Sequence, residues 1–317
     1  MQPRSAAGRL YDAKALMRIG VTGGTGFVGS HLIDAALAAG HEVKALTRRD
    51  QPARDGLEWI AGSLEDRAAL HALVTDTDAI IHVAGVISAP DKEGFDKGNV
   101  EGTLAMLAAA TAGGVRRFIH VSSLAAREPK LSLYGASKAR AEELVRSSGL
   151  EWSIVRPPAV YGPGDRETLE LFRMARLGLM LMPPRGHVSL IHASDLARLL
   201  IALGGPESPS SILIEADDGK PGGWSHRQFA RALGRAVGKS PAIVSTPGLF
   251  LRLAARADQL FRGPRAKLTV DRAAYFSHRN WVVDPKLGPP PELWHAEIPT
   301  DQGLRETADW YRARGWL

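Results

Sequence analysis

The 317-residue chain has no cysteine. Disulfides, thiolate metal sites and a cysteine nucleophile are therefore excluded. It also lacks any run approaching the roughly 18 consecutive apolar residues of a membrane span; the apolar stretches 32–39 and 196–203 are short and interrupted by Asp34 and Arg198. Residues 1–15 show no apolar signal-peptide core, being polar and broken by Pro3 and Gly8. Residues 1–16 read as a flexible lead-in, Met17 as a candidate natural start, and the cytoplasm as the expected location. The ten histidines fall at no metal-ligand spacing, so no metal is expected. His187 and His192 flank the strand-like run 188–191 and read as ordinary structure of the second half. Acidic charge is scarce in one place: the net charge is +6, and five of those six charges arise between Leu249 and Arg279.

What is present fits a soluble globular protein, with 44% hydrophobic and 23% charged residues, and a chain long enough for one large or two medium domains. The first 160 residues alternate between strand-like runs at 18–22, 42–47, 57–61, 79–83, 117–121 and 152–156 and helical patterns at 27–39, 66–74, 99–112 and 133–148. Such alternation implies βαβ units and a parallel sheet. Gly40, Gly113-Gly114 and Gly149 follow the last periodic residues, as helix-ending glycines do. After Pro157-Pro158 the alternation stops, although 211–215 reads as one more strand returning to the sheet. The expected fold is α/β, a doubly wound Rossmann-type parallel sheet over 17–165 with a smaller substrate-capping lobe over 166–317. Asp195 reads as the N-cap of a helix over 196–203, and 302–314 as a closing amphipathic helix.

Directly after the first strand lies Thr22-Gly23-Gly24-Thr25-Gly26-Phe27-Val28-Gly29. A strand running through a glycine-rich turn into a helix offers backbone N–H groups and a helix N-terminus to a pyrophosphate. A second constellation is Tyr134 with Lys138. Residues i and i+4 share a helix face, and an ammonium beside a phenol favours phenolate, drawing its pKa down from about 10 toward the range of a working acid or base. Ser122-Ser123 ends the fifth strand, where a hydroxyl can hydrogen-bond a carbonyl at the sheet's carboxyl edge; Ser123 is the chosen candidate.

With these residues in hand, the chain resembles the extended short-chain dehydrogenase/reductases, the group of nucleotide-sugar epimerases and dehydratases, dihydroflavonol reductases and 3β-hydroxysteroid dehydrogenases. The likeness spans 17–317. Besides the motifs above it rests on His82-Val83-Ala84-Gly85, on Asn99-Val100-Glu101-Gly102-Thr103 and on Arg156-Pro157-Pro158-Ala159-Val160-Tyr161-Gly162-Pro163-Gly164. The closing segment with Gly303, Leu304, Thr307, Trp310, Tyr311 and Gly315-Trp316-Leu317 also belongs to it. The resemblance implies that Tyr134 donates or accepts the proton, that Lys138 lowers its pKa and holds the nicotinamide ribose, and that Ser123 polarises the reacting carbonyl. It puts the dinucleotide against Gly23, Thr25, Gly26, Phe27, Val28 and Gly29, then Ser63 and Leu64, then Val83, Ala84 and Gly85. Asn99 supports the active-site helix, Pro157 orients the nicotinamide, and Val160 lies beside it. Relatives often dimerise through the helices at 99–112 and 133–148, so a homodimer is the implied partner.

Two departures stand out. Only 11 residues separate Ser123 from Tyr134, about half the separation of typical nucleotide-sugar enzymes, and short versions occur in an atypical subgroup resembling the complex I accessory subunit. Ser63 stands where relatives often carry Asp beside the adenine.

Cofactor choice rests on Ala45-Leu46-Thr47-Arg48-Arg49-Asp50. An acidic residue at this strand end accepts the ribose 2′-OH of NAD, whereas arginine suits a 2′-phosphate. Arg48 aligns with the residue used by NADP-linked relatives, so NADP(H) is expected, with NAD(H) through Asp50 as the alternative. In the basic stretch, Leu249, Leu253 and Leu260 recur near helical spacing among Arg252, Arg256 and Arg262. Peripheral contact with membrane lipid through 249–272 is one reading, and a lobe helix with one packed face is the other. Nucleic-acid binding calls for aromatics interleaved on a positive platform, and no nucleic-acid partner is expected.

The expected activity is NADPH-dependent reduction of a ketone on a lipid-like small molecule, for example a 3-keto sphingoid base or ceramide. The alternatives are a nucleotide-sugar epimerase or dehydratase with retained NAD, and a non-catalytic NADP-binding assembly subunit.

Overall fold

The structure, a computed structural model, describes residues 16–263 and 270–317. The lead-in 1–15 and residues 264–269 of the basic stretch, with Arg265 and Lys267, lie outside the described residues. In chain order the first half contains β1 (Arg18–Thr22), α1 (Phe27–Ala38), β2 (Glu42–Thr47), β3 (Leu57–Ala61), α2 (Arg67–Val74) and β4 (Ala79–His82). Then come α3 (Lys92–Phe95), a π turn (Asp96–Glu101), α4 (Gly102–Ala112), β5 (Arg117–Val121), α5 (Leu133–Arg146) and β6 (Glu151–Val155). The second half begins with β7 (Ala159–Tyr161), α6 (Leu169–Arg176), β8 (Leu179–Met182), β9 (His187–Val188), β10 (Leu190–His192) and α7 (Ala193–Gly204). It continues with β11 (Ile212–Ile214), β12 (Trp224–Ser225), α8 (His226–Ala236), β13 (Ala242–Ser245), α9 (Gly248–Arg262), α10 (Val270–Ser277), β14 (Asn280–Trp281) and α11 (Thr300–Ala313).

Seven strands form one parallel sheet in the order β11-β6-β5-β4-β1-β2-β3. The chain winds outward from β1 in one direction and from β4 in the other, so the crevice of a doubly wound sheet opens between those two strands, beyond their carboxyl ends. β4 and β5 are buried along their whole length, because helices cover both faces of the sheet. On one face α1 and α7 bury Leu32, Ile33, Leu199 and Leu200 against Ile19 and Ile81. On the other, Leu70, Leu73, Met106 and Phe118 pack with Ile80. A separate core of Tyr161, Phe172, Phe229, Leu233 and Tyr311 holds the lobe. Among the described residues no helix is long and apolar enough to cross a membrane.

Local chemistry accounts for most boundaries. The Asp66 carboxylate accepts from the N–H of Ala68 and Ala69 and starts α2, and Ser132 accepts from Gly135 N–H and starts α5. Gly40, Gly114 and Gly149 take φ between +73° and +85° just past helix ends.

Two expectations are corrected. The helix expected from residue 99 begins at 102, and Asn99 sits instead in the π turn. That turn passes so close to the loop after β4 that a Cβ on Gly98 would lie 2.2 Å from the Val86 side chain. Asp195 is not the N-cap of α7: His192 caps it, its Nδ1 3.2 Å from Ser194 N. Asp195 lies inside the first turn, pairs with Arg198 and accepts from the backbone of Glu297 and Ile298. It is a buried bracket for the chain entering α11, a role set by residues a hundred positions away.

Candidate active site

Because the seven strands run in parallel, the segment after each one emerges on the same edge of the sheet. Gly23 follows β1, Arg48 follows β2, Ser63 lies just beyond β3, Val83 follows β4, Ser122-Ser123 follows β5 and Pro157 lies just beyond β6. The sheet therefore collects along one line the residues that the sequence scatters over 134 positions.

The glycine loop forms a cradle by close approach. Gly23 has φ +73°, and a Cβ there would sit 2.7 Å from Ala84 N; a Cβ on Gly29 would sit 2.1 Å from the Gly23 carbonyl. Side chains at either position would wedge the loop away from β4 and α1. Gly26 is the N-cap of α1 and supplies no side-chain acceptor to the first-turn N–H groups. No acidic residue lies in that first turn. An uncapped helix N-terminus behind a glycine turn fits a pyrophosphate, which takes up the free N–H groups and the positive end of the helix dipole.

Thr22 ties this loop to its neighbour: its hydroxyl lies 2.7 Å from His82 Nδ1 and accepts from Ala84 N at 3.2 Å. Thr25 and Gly26 are exposed, Phe27 and Val28 half-buried, and Phe27 stacks edge-on against His31. His31 Nε2 lies 2.8 Å from the Pro163 carbonyl, holding the 162–164 loop against the start of α1. Arg48 and Arg49 stand exposed past β2, and neither has a side-chain partner among the described residues. The turn beneath them is fixed by Thr47, whose hydroxyl donates to the Arg49 carbonyl at 2.6 Å. Ser63 accepts from Glu65 N, and Leu64 packs against Gly102.

On the other side of the switch point, Ser123 is buried and N-caps a short turn, its oxygen accepting from Ala125 N at 3.2 Å. Leu124 N donates to the Pro157 carbonyl at 3.1 Å, which ties this turn to the loop after β6. Val160 is half-buried in β7 and packs on the core under α1. Tyr134 enters from α5 beside Ser123. Burial pushes its phenol above the ordinary value, and the hydrogen bond with Ser123 works against that rise.

Lys138 lies one turn further along α5 and donates from Nζ to the Val121 carbonyl at 3.0 Å. Burial lowers its ammonium from 10.5 to about 8, with the Glu142 carboxylate opposing. In this arrangement the Tyr134 phenol is governed by burial and Ser123 rather than by Lys138. The amine also stands beside Gly85, where a Cβ would lie 3.0 Å from both Lys138 Nζ and Asn99 Oδ1.

Asn99 locks these parts together. Its Oδ1 accepts from Val86 N at 2.7 Å, and its Nδ2 donates to the Val86 carbonyl at 2.9 Å and to Ser137 Oγ at 2.8 Å. Ser137 in turn donates to the Tyr134 carbonyl at 2.7 Å. One buried amide therefore joins the loop after β4 to the helix turn that carries Tyr134 and Lys138.

Sequence reasoning missed two features. The first is a buried ionic chain behind Lys138. Glu142 accepts from Ser122 Oγ at 2.6 Å and takes a bidentate grip from Arg156 at 2.8 and 2.7 Å. Arg156 reaches Glu215 at 3.5 Å, and Glu215 is shared with Arg127 and with the backbone N–H of Asp284. The signal was available: Tyr134, Lys138 and Glu142 recur every four residues on one face of α5. The second is the roof. Asp271 of α10 accepts from Leu133 N at 2.7 Å at the start of α5. Tyr275, one turn on, is pushed above its ordinary value by burial and by Tyr134, which places the two phenols in one electrostatic neighbourhood.

The sequence matches the NAD dependent epimerase/dehydratase family over residues 19–208. A curated relative, ceramide reductase from Caulobacter vibrioides, is 37% identical over 316 residues, covering 96% of this chain and 97% of its own. A 4-hydroxy-2-methyl-3-oxo-4-farnesyl-3,4-dihydroquinoline-1-oxide ketoreductase from Stigmatella aurantiaca is 36% identical over 174 residues, 47% of this chain and 52% of that protein. Among solved structures, the Bordetella bronchiseptica enzyme WbmG in complex with NAD superposes with a TM-score of 0.74 at 20% identity, covering 96% of each chain. That likeness establishes a common fold.

Proposed function

The chain belongs to the NAD dependent epimerase/dehydratase family and is an NAD(P)-dependent enzyme of the extended short-chain dehydrogenase/reductase type, and from that premise we propose that it reduces the ketone of a lipid-like molecule with NADPH. The observation that carries the reading is the grouping of buried Ser123 and Lys138 with half-buried Tyr134 at the carboxyl edge of β5, held there by the Asn99 clamp. A reduced nicotinamide held at that edge would supply the hydride that the carbonyl carbon needs. Tyr134, kept protonated at neutral pH by burial, gives its proton to the carbonyl oxygen, while the Ser123 hydroxyl holds that oxygen by hydrogen bonding. Lys138 stands beside Gly85 to bind the ribose hydroxyls. Thr25, Gly26, Phe27 and Val28 would hold the pyrophosphate, Ser63, Leu64, Val83 and Ala84 would line the adenosine half, and Pro157 and Val160 would back the nicotinamide.

The phosphate preference is assigned to Arg48. A solvent-facing guanidinium with no acidic partner among the described residues, at the end of β2, can take a 2′-phosphate. The lipid-like substrate class is supported by the curated relatives named for ceramide and for a farnesyl-bearing ketone. Lipid contact through the described part of 249–272 belongs to the same reading. So does pairing with a second copy through α4 and α5, where Leu104 is exposed.

Titration of the nucleotide-free protein with NADPH and NADH, followed by turnover on a dispersed 3-keto sphingoid base or ceramide, tests the proposal. Exchangeable NADPH, preferred over NADH, with consumption matched by alcohol formed, is the expected result. Tightly retained NAD with no net consumption would overturn it in favour of epimerase or dehydratase chemistry.

A further inference from the structure

Thirteen large apolar side chains stay exposed among the described residues, and nine of them lie within 177–276 of the lobe. Two groups of them can be followed, one on paired strands and one along a helix. Along β8, Leu179 and Leu181 point outward while Met180 and Met182 are buried, and the partner of Leu181 on β13 is Val244, also exposed. Four residues beyond Val244 the chain enters α9, where Leu249, Leu253, Arg256 and Leu260 make one exposed stripe, Leu260 at 82%, while the small Ala255 is fully buried. A surface helix ordinarily turns its large apolar residues inward. Here Leu249, Leu253 and Leu260 face out, as leucines do in a helix that lies in a membrane interface.

β13 also borders a cluster of charge. Arg227, Arg231 and Arg235 recur every four residues on the exposed side of α8 and, with Lys239, line a concavity of about 340 Å³ together with Pro241 and Ile243. Arg235 pairs with Asp301 at 2.6 Å, while Arg227 and Arg231 face each other's repulsion with no carboxylate partner among the described residues. Like charges held at this spacing, next to an apolar strip, complement a surface that is anionic outside and hydrocarbon beneath.

We propose that the outer face of the lobe is a docking surface for an anionic lipid bilayer: Arg227, Arg231 and Lys239 receive lipid phosphates, and Leu181, Val244, Leu249 and Leu253 enter the boundary between headgroups and acyl chains. The inference deepens the reductase reading and rests on it for its purpose. α9 leads into α10, which carries Asp271 and Tyr275 to the Tyr134 end of the site, so the docked lobe is also a wall of the substrate cleft.

The test is co-sedimentation of the full-length protein with vesicles of phosphatidylglycerol and phosphatidylcholine in equal parts, against phosphatidylcholine alone, at low and high salt. Binding that requires phosphatidylglycerol and weakens with salt is expected. Arg227→Gln with Arg231→Gln should lose roughly fivefold per charge removed. Leu249→Gln with Leu253→Gln should weaken binding while keeping its salt dependence. Wild-type protein that ignores the anionic vesicles, or variants that bind as wild type does, would overturn the proposal. So would displacement by inorganic phosphate at matched ionic strength, which assigns a free anion, or a dimer abolished by the leucine variants, which assigns a second copy. Reduction of a detergent-dispersed ketone by the arginine variant reports separately on the reductase reading, because Arg227 and Arg231 line a concavity that holds none of Ser123, Tyr134 and Lys138.

Discussion

Replacing Glu142 by Gln removes one charge from the buried chain behind Lys138 and has two consequences of predictable sign. Glu142 is 1% exposed and Arg156, which grips it, is 12% exposed in its side chain. Stripping one partner from a buried pair costs about 3–5 kcal/mol. Arg156 keeps Glu215 at 3.5 Å, so the lower end applies, about 3 kcal/mol. At roughly 2.1 cal/mol/K per residue, a chain of 317 residues unfolds with an entropy near 0.7 kcal/mol/K, and Tm falls by about 4–5 °C.

The second consequence concerns Lys138, whose ammonium Glu142 supports; without that carboxylate its pKa moves below about 8. The folded protein then releases this proton earlier than the unfolded chain, whose lysine titrates near 10.5. Stability gained by deprotonating Lys138 accrues as pH rises from about 8 toward 10.5 in the wild type, and from a lower pH in the variant. If turnover requires the ammonium, the alkaline limb of kcat/KM shifts down in step. Thermal unfolding from pH 6 to 10, with a kcat/KM profile, reads both. Glu143→Gln on the exposed side of α5 is the control and should stay within about 0.5 kcal/mol of wild type. A Glu142→Gln protein with the Tm and pH profile of Glu143→Gln would refute the reasoning.

Asn99→Ala leaves Val86 N–H, the Val86 carbonyl and Ser137 without their shared partner, and unsatisfied buried groups cost about 1–3 kcal/mol each. Urea unfolding should show a loss of several kcal/mol, and kcat should fall more than cofactor affinity, because the Tyr134 turn is released while the glycine loop is not. Arg48→Ala should weaken NADPH by about 1.5–3 kcal/mol, the range for hydrogen bonds to charged groups, and leave NADH unchanged within twofold. Equal losses for both nucleotides, measured by fluorescence titration, would remove Arg48 from the 2′-phosphate site.

Much of the sheet was legible because parallel strands buried on both faces read as short apolar runs. β1, β2, β3 and β5 begin and end where the pattern places them, and β4 and β6 differ by a residue. Short-range chemistry was equally readable: Asp66 and Ser132 cap helices through neighbours two or three residues away. Partners separated by tens of positions were not legible. Asp195 has the residue type and position of a cap, and only the arrival of 297–298 reveals that its carboxylate is already committed. Asn99 departs from regular helix because Val86, thirteen residues earlier, passes against Gly98. Lys138 was expected to act on the phenol one turn away, yet the strand beside it offers the Val121 carbonyl at 3.0 Å and takes the amine. Glu142 carried a signal in its spacing, but nothing in the sequence said that Arg156 would close on it.

The central claim is that Tyr134 delivers the proton in a ketone reduction. Tyr134→Phe keeps the ring that packs beside Phe95 and removes only the hydroxyl. The measurement is NADPH consumption with a keto-lipid by this variant, alongside its NADPH dissociation constant. Turnover lost by about a hundredfold or more, the low end of general acid catalysis, with NADPH affinity within twofold of wild type, is the predicted result. Reduction at the wild-type rate by a folded, NADPH-binding Tyr134→Phe protein would contradict the account.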